Sequence, residues 1–287
     1  MKKITALTLL IISTGAFSSN IPKVIYGDDN RKDVFESKDS VLVEHSKSTA
    51  AMIEKSKLKV VGNGEVKIVG SSLQARGVCA KERFSKQVSA ASCSGFLVAP
   101  NILVTAGHCI KDEKDCSSYN WAFDFKVDFA EQSSVKVPAS SVYSCKKVIS
   151  RSLDNFSKDD FAVIELDRSV ADRKPLAFRR EGKIRKGSGV AVIGHPTGIP
   201  TKITDGAKVR SHNTKFFVTN LDTYGGNSGS AVFSLKTGIV EGILVRGEND
   251  YVTDTQLGCK ISNVCTNEGC RGEEVTYITN IEAIKNL

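Results

Sequence analysis

Past about residue 60 the chain is a succession of short apolar runs separated by turn-forming residues, at 95–99, 102–104, 142–149, 161–166, 190–193, 216–218, 231–235 and 239–245. Runs this short suit strands, whereas a core-covering helix needs about ten or more residues at a 3.6-residue period. No convincing long helical stretch lies between them. The pattern predicts an all-β barrel or sandwich. Across 119–126, Tyr119, Trp121, Phe123 and Phe125 share one face and Asn120, Ala122 and Asp124 the other, so a strand is expected there. Residues 280–287 predict a short C-terminal helix, capped by Asn280, with Ile281 and Ile284 on its apolar side.

Hydrophobic residues make up 40% of the 287, enough for one two-lobed domain or two modest ones. Lys2 and Lys3, an apolar run from Ile4 to Ile12, and the small residues Ser13, Thr14, Gly15 and Ala16 predict an export signal over residues 1–18. The run is too short to span a bilayer comfortably. The mature chain is therefore expected to be secreted or periplasmic, with no stable membrane association after signal removal. Residues 19–63 are rich in Lys, Asp, Glu and Ser and poor in aromatics, and are expected to form an N-terminal extension or pro-segment.

Eight cysteines in an exported chain favour disulfides over metal ligands. Cys93 and Cys109 bracket a strand-turn-strand stretch and are expected to pair, a loop closure contributing about 3 kcal/mol through the unfolded state. Cys116 and Cys145 suit a second pair. Cys79, Cys259, Cys265 and Cys270 complete the even count without a readable connectivity. A zinc site from Cys259, Cys265 and Cys270 is disfavoured, because it lacks a C-x-x-C spacing and a nearby histidine. No metal and no organic cofactor are expected.

The formal charge of +8 drops by two, to +6, with the loss of Lys2 and Lys3. The basic excess is densest over 173–186, which reads as a solvated connector between lobes. Phe178 is its one aromatic, short of the repeated aromatic interleaving of a nucleic-acid surface, so nucleic acid is not an expected partner.

Three segments carry chemistry. Gly225-Gly226-Asn227-Ser228-Gly229-Ser230 can place a serine hydroxyl on a sharp turn, with the N–H groups of Gly226 and Ser228 aimed at one point as an oxyanion hole. Ser228 needs an imidazole to take its proton and return one to the leaving group. His108, in Thr105-Ala106-Gly107-His108-Cys109, follows an apolar strand and adjoins a disulfide cysteine, whereas His195 sits in a Gly/Pro turn with structural uses of its own. Asp160 heads the strand of Phe161 to Leu166 and is expected to orient the imidazole. Asp159 should point to the opposite face. No histidine follows Ser228, which excludes the α/β-hydrolase order of residues.

In this order the three segments resemble the chymotrypsin/trypsin-like serine proteases, over roughly residues 64–287. The resemblance implies two six-stranded antiparallel β-barrels, at 64–176 and 177–287. His108 and Asp160 would come from the first, Ser228 from the second. It further implies peptide-bond hydrolysis through an acyl-enzyme, protein or peptide substrates, and a monomer. The nucleophile segment is also similar to that of bacterial glutamyl endopeptidases. Val24-Ile25-Tyr26-Gly27 resembles their mature N-terminus, which implies cleavage after Lys23; Lys59-Val60 is a second candidate processing site.

The same resemblance implies a specificity pocket built from Asp222, Thr223, Leu244, Arg246 and Gly247. Thr223 matches the glutamyl group, but Leu244 stands where that group has its pocket histidine. Asp222 stands where trypsin has its aspartate and favours Arg or Lys before the scissile bond over Glu, while Arg246 could neutralise Asp222 or bind an acidic side chain. The competing expectation is a catalytically inactive, protease-like binding module, which requires a broken triad or oxyanion segment.

Overall fold

The computed structural model describes residues 24–287, so the expected signal over 1–18 lies outside the described residues. The strands close into two six-stranded antiparallel barrels. The first is built from Thr49–Glu54, Ala91–Ala99, Ile102–Thr105, Tyr119–Ala122, Val142–Leu153 and Asp160–Leu166. The second uses Gly189–Gly194, Lys202–His212, Phe216–Thr219, Ala231–Ser234, Val240–Arg246 and Glu273–Tyr277, and closes where Gly189–Gly194 pairs with Lys202–His212. Phe96, Trp121 and Ile164 of the first barrel and Phe233, Ile243 and Ile278 of the second share one buried apolar cluster, so the lobes meet over core rather than over water. A separate cluster around Phe217, Val232 and Tyr277 fills the second barrel.

Of residues 19–63, expected to form an N-terminal extension or pro-segment, the described part from residue 24 supplies strands to both barrels. Thr49–Glu54 lies between Ala91–Ala99 and Tyr119–Ala122, so the first barrel does not close without it. Its sequence, Thr-Ala-Ala-Met-Ile-Glu, is buried at five of six positions, and alanine-rich burial on both faces carries no alternating signature. Arg31–Asp33 adds a seventh strand to the second barrel along Lys202–His212. A buried ion pair between Lys202 and Asp33, at 2.6 Å, reinforces that junction. Between these strands runs the helix Ser40–Ser46, whose Asp39 cap accepts the N–H groups of Val41 and Leu42. Lys59-Val60 lies within the strand Leu58–Gly62, so cleavage there would cut the covalent link between the Thr49–Glu54 strand and the rest of its barrel.

Two local expectations also change. The strand beginning at Tyr119 ends at Ala122, because Asp124 adopts a φ of 62° and breaks the ladder. Phe123 and Phe125 are still buried, but in different clusters. The C-terminal helix is two 3-10 turns, Ile278–Asn280 and Glu282–Ile284; Ile281 and Ile284 are buried as expected, while Asn280 spends its amide on Asp159 and the Lys215 carbonyl.

Candidate active site

The strand Ile102–Thr105 delivers His108 three residues beyond its end, and the Cys93–Cys109 disulfide anchors the turn to the neighbouring strand. Asp160–Leu166 pairs with Ile102–Thr105, Ala162 opposite Thr105, which brings Asp160 alongside that turn. The approach needs Gly107, where a Cβ would strike the Ser152 and Phe161 carbonyls. The buried Asp160 carboxylate then grips His108 twice. Oδ1 accepts the His108 main-chain N–H at 3.1 Å, and Oδ2 lies 2.9 Å from Nδ1. A carboxylate on Nδ1 fixes the neutral tautomer with its proton there and leaves Nε2 as the basic nitrogen. The ring is about one-third exposed, 33%.

Of the four histidines, only His108 touches a carboxylate among the described residues. His45 meets the Gly238 carbonyl at 2.9 Å, and His212 meets the Tyr277 hydroxyl at 2.7 Å. His195 is fully buried, its nitrogens 3.1 Å from the hydroxyls of Ser94 and Thr201, and burial pushes its pKa down to about 3. Asp159 turns away from the cleft toward Asn280 and Lys215.

Ser228 sits in a loop made possible by Gly226 at φ +96° and Gly229 at φ +89°. At Gly226 a Cβ would press on the His195 carbonyl; at Gly229 it would meet Ser94 and Thr105. The Ser228 carbonyl accepts the Ser94 N–H at 2.8 Å and lies 3.7 Å from Cys109 Sγ, which sets the loop against the turn that carries His108. The N–H groups of Gly225, Asn227, Gly229 and Ser230 donate to Asp250, Tyr224, Leu244 and Asn227 respectively. Those of Gly226 and Ser228 have no acceptor among the described residues. The two unengaged donors of this turn are the pair read from sequence as the oxyanion hole.

Beside Ser228 lies a pocket of about 120 Å³, with Thr223, Leu244, Gly247, Asp250 and Glu273 in its wall. Asp222 does not line it. The strand Ile25–Tyr26 pairs with Val264–Cys265, and the turn beyond it covers the Asp222 carboxylate, which accepts the N–H groups of Tyr26 at 2.7 Å and Asn30 at 2.8 Å. Burial lifts its pKa to about 6 against those two bonds. Arg246 borders the pocket, but its guanidinium turns to Glu274, at 2.6 Å, and Asp160, at 3.3 Å.

Residues 93–243, more than half of the chain, match the family model of the trypsin-like peptidase domain. The chain belongs to the trypsin-like peptidase family. No curated protein sequence matches it. Among solved structures it is similar to a Glu endopeptidase, at 18% identity over 83% of this chain and 91% of that one, with a TM-score of 0.51. It is also similar to the Vibrio cholerae VesB protease, at 14% identity over 87% of this chain and 64% of that one, with a TM-score of 0.53. At such identities the likeness is one of fold.

Two carboxylates in the pocket of this trypsin-like peptidase, Asp250 and Glu273, were not found from sequence. A signal for Glu273 existed: in Glu273–Tyr277, Val275 and Tyr277 share its face at period two, so an acid on that face is a buried acid. All eight cysteines pair, as Cys79–Cys259, Cys93–Cys109, Cys116–Cys145 and Cys265–Cys270.

Proposed function

We propose that this trypsin-like peptidase is a secreted serine endopeptidase with Ser228 as nucleophile, His108 as base and Asp160 as orienting acid. The observation that carries the reading is the buried Asp160 carboxylate 2.9 Å from Nδ1 of His108, beside a loop whose unengaged N–H groups belong to Gly226 and Ser228. Ser228 Oγ attacks the substrate carbonyl while His108 Nε2 takes its proton, and the carbonyl oxygen gains the negative charge. The N–H groups of Gly226 and Ser228 stabilise that charge, each worth about 3 kcal/mol of barrier. Collapse breaks the C–N bond, and His108 gives its proton to the departing amine. Water then attacks the acyl-enzyme by the same route, returning Ser228 to its hydroxyl form.

Export is supported by the N-terminal sequence and by four disulfides, which persist in oxidising compartments. Maturation after Lys23 is supported by Val24, which is fully buried immediately before the paired strand Ile25–Tyr26. For the residue before the scissile bond we favour Arg or Lys over Glu.

The test is labelling with an organophosphonate together with peptide hydrolysis. The expected result is one adduct, on Ser228, with both labelling and hydrolysis lost in Ser228→Ala. Hydrolysis retained in Ser228→Ala overturns the assignment, and a wild-type protein that neither labels nor cleaves points to an inactive binding module.

A further inference from the structure

Resting on that proteolytic reading, we propose that Glu273, assisted by Asp250, is the acid that selects a lysine or arginine side chain before the scissile bond. Glu273 opens the strand Glu273–Tyr277 and is only 2% exposed, yet it lines the pocket beside Ser228. Gly247 makes this possible, because a Cβ at 247 would occupy the space of the carboxylate. The groups bonded to Glu273 are neutral donors: the Thr223 hydroxyl, the Tyr26 hydroxyl at 3.4 Å and the Glu248 N–H at 3.3 Å. Asp250 enters the same pocket from the loop after Val240–Arg246, with one oxygen on the Gly225 N–H at 2.8 Å.

The cations around this pocket are committed elsewhere. Arg31 is bonded to Asp29, Arg246 to Glu274 and Asp160, Arg271 to the Gly247 carbonyl, and Arg210 to the carbonyls of Glu268, Gly269 and Cys270. Among the described residues no Lys, Arg or His comes within 4.0 Å of the carboxylate of Glu273 or Asp250. A buried Glu273 beside a half-buried Asp250, neither with a counter-ion among the described residues, is a poor resting state for two negative charges. A substrate ammonium or guanidinium supplies the missing charge in a site that the fold has already dehydrated, while an acidic side chain would meet like charge. Burial raises Glu273 to about 8, aided by Asp250, and raises Asp250 to about 6. At neutral pH the empty pocket therefore holds a proton on Glu273, and an entering cation expels it. The advantage of a cationic over a neutral side chain grows as pH climbs through 8.

The experiment compares kcat/KM for peptides that differ only before the scissile bond (Lys, Arg, Gln, Leu, Glu) in the wild type and in Glu273→Gln. The expected result is a preference for Lys and Arg over Gln and Glu. In Glu273→Gln the Lys-to-Leu ratio of kcat/KM falls about 100-fold. Binding of benzamidine to Ser228→Ala, followed by calorimetry, provides a readout independent of turnover and should weaken by a similar factor when Glu273→Gln is added. An unchanged Lys-to-Leu ratio and unchanged benzamidine affinity overturn the proposal even when Ser228 chemistry stands. Absence of any Ser228-dependent turnover instead sinks the proteolytic reading. If Glu273→Gln does not fold, the wild type decides: its Lys-to-Gln ratio should rise about 100-fold between pH 6 and pH 9, and a flat ratio overturns the assignment.

Discussion

Arg246 Nη1 lies 3.3 Å from Asp160 Oδ2, the same carboxylate oxygen that faces His108 Nδ1. The arginine also holds Glu274 at 2.6 Å, so it braces the first barrel's acid from a strand of the second. Arg246→Leu should lower kcat about tenfold with little change in KM for a Lys peptide, since the guanidinium acts on Asp160 and not on substrate. A selective rise in KM for acidic peptides would instead assign Arg246 to substrate binding.

Asp160→Asn removes the carboxylate that fixes the His108 tautomer. Its proposed role predicts a folded protein with kcat reduced by about four orders of magnitude. Steady-state kinetics beside a circular dichroism spectrum checks this. Near-normal turnover would place the orienting acid elsewhere.

Gly226→Ala tests the donor geometry without touching a titratable group. At φ +96° and hard against the His195 carbonyl, alanine must turn the Gly226 peptide. The expected loss is about 100-fold in kcat, with a modest fall in Tm. Undiminished kcat would show that the Gly226 N–H carries no transition-state charge.

His195 gives a signed pH prediction. Its folded pKa of about 3 lies below the ordinary 6.5, so the unfolded chain binds a proton at 195 between those values and the folded protein does not. The stability associated with this group is present above pH 6.5 and is lost progressively as pH falls toward 3. His195→Gln should therefore shrink the drop in Tm between pH 7 and pH 4 while leaving proteolysis within about a few-fold of wild type. Abolished proteolysis in a folded variant would revive His195 as the base.

The Cys79–Cys259 bridge spans 180 residues and ties the segment before the first barrel's Ala91–Ala99 strand to the hairpin beyond Asp250. Chain entropy sets its contribution at up to about 5 kcal/mol. Replacing both cysteines by serine should lower Tm by about 10 °C or more. A change under 2 °C, on the order expected from a surface substitution, would mean that the unfolded chain is already constrained there.

The strands read from sequence were those whose apolar runs are short and sharply bounded, such as Asp160–Leu166 and Val240–Arg246. Thr49–Glu54, Lys202–His212 and Glu273–Tyr277 escaped because their burial does not follow hydrophobicity. The first is alanine-rich, the second buries Lys202 against Asp33, and the third buries Glu273. In each case a distant partner satisfies the polar group or fills the space, and no local window of sequence contains that partner.

Local order alone specified the all-β architecture, the Cys93–Cys109 bridge beside His108, and the candidate pairing of His108 with Asp160 in preference to Asp159. Strand alternation and strand-end turns are short-range properties, and they survive reading one segment at a time. The pocket was decided by tertiary structure. Asp222 is occupied by N–H groups from residues 26 and 30, Arg246 is drawn to Asp160 and Glu274, and Glu273 is left facing the cavity without a cation among the described residues. Which acid stays unpaired depends on what the rest of the chain packs against it, and charge compensation at 3 Å is indifferent to separation along the sequence.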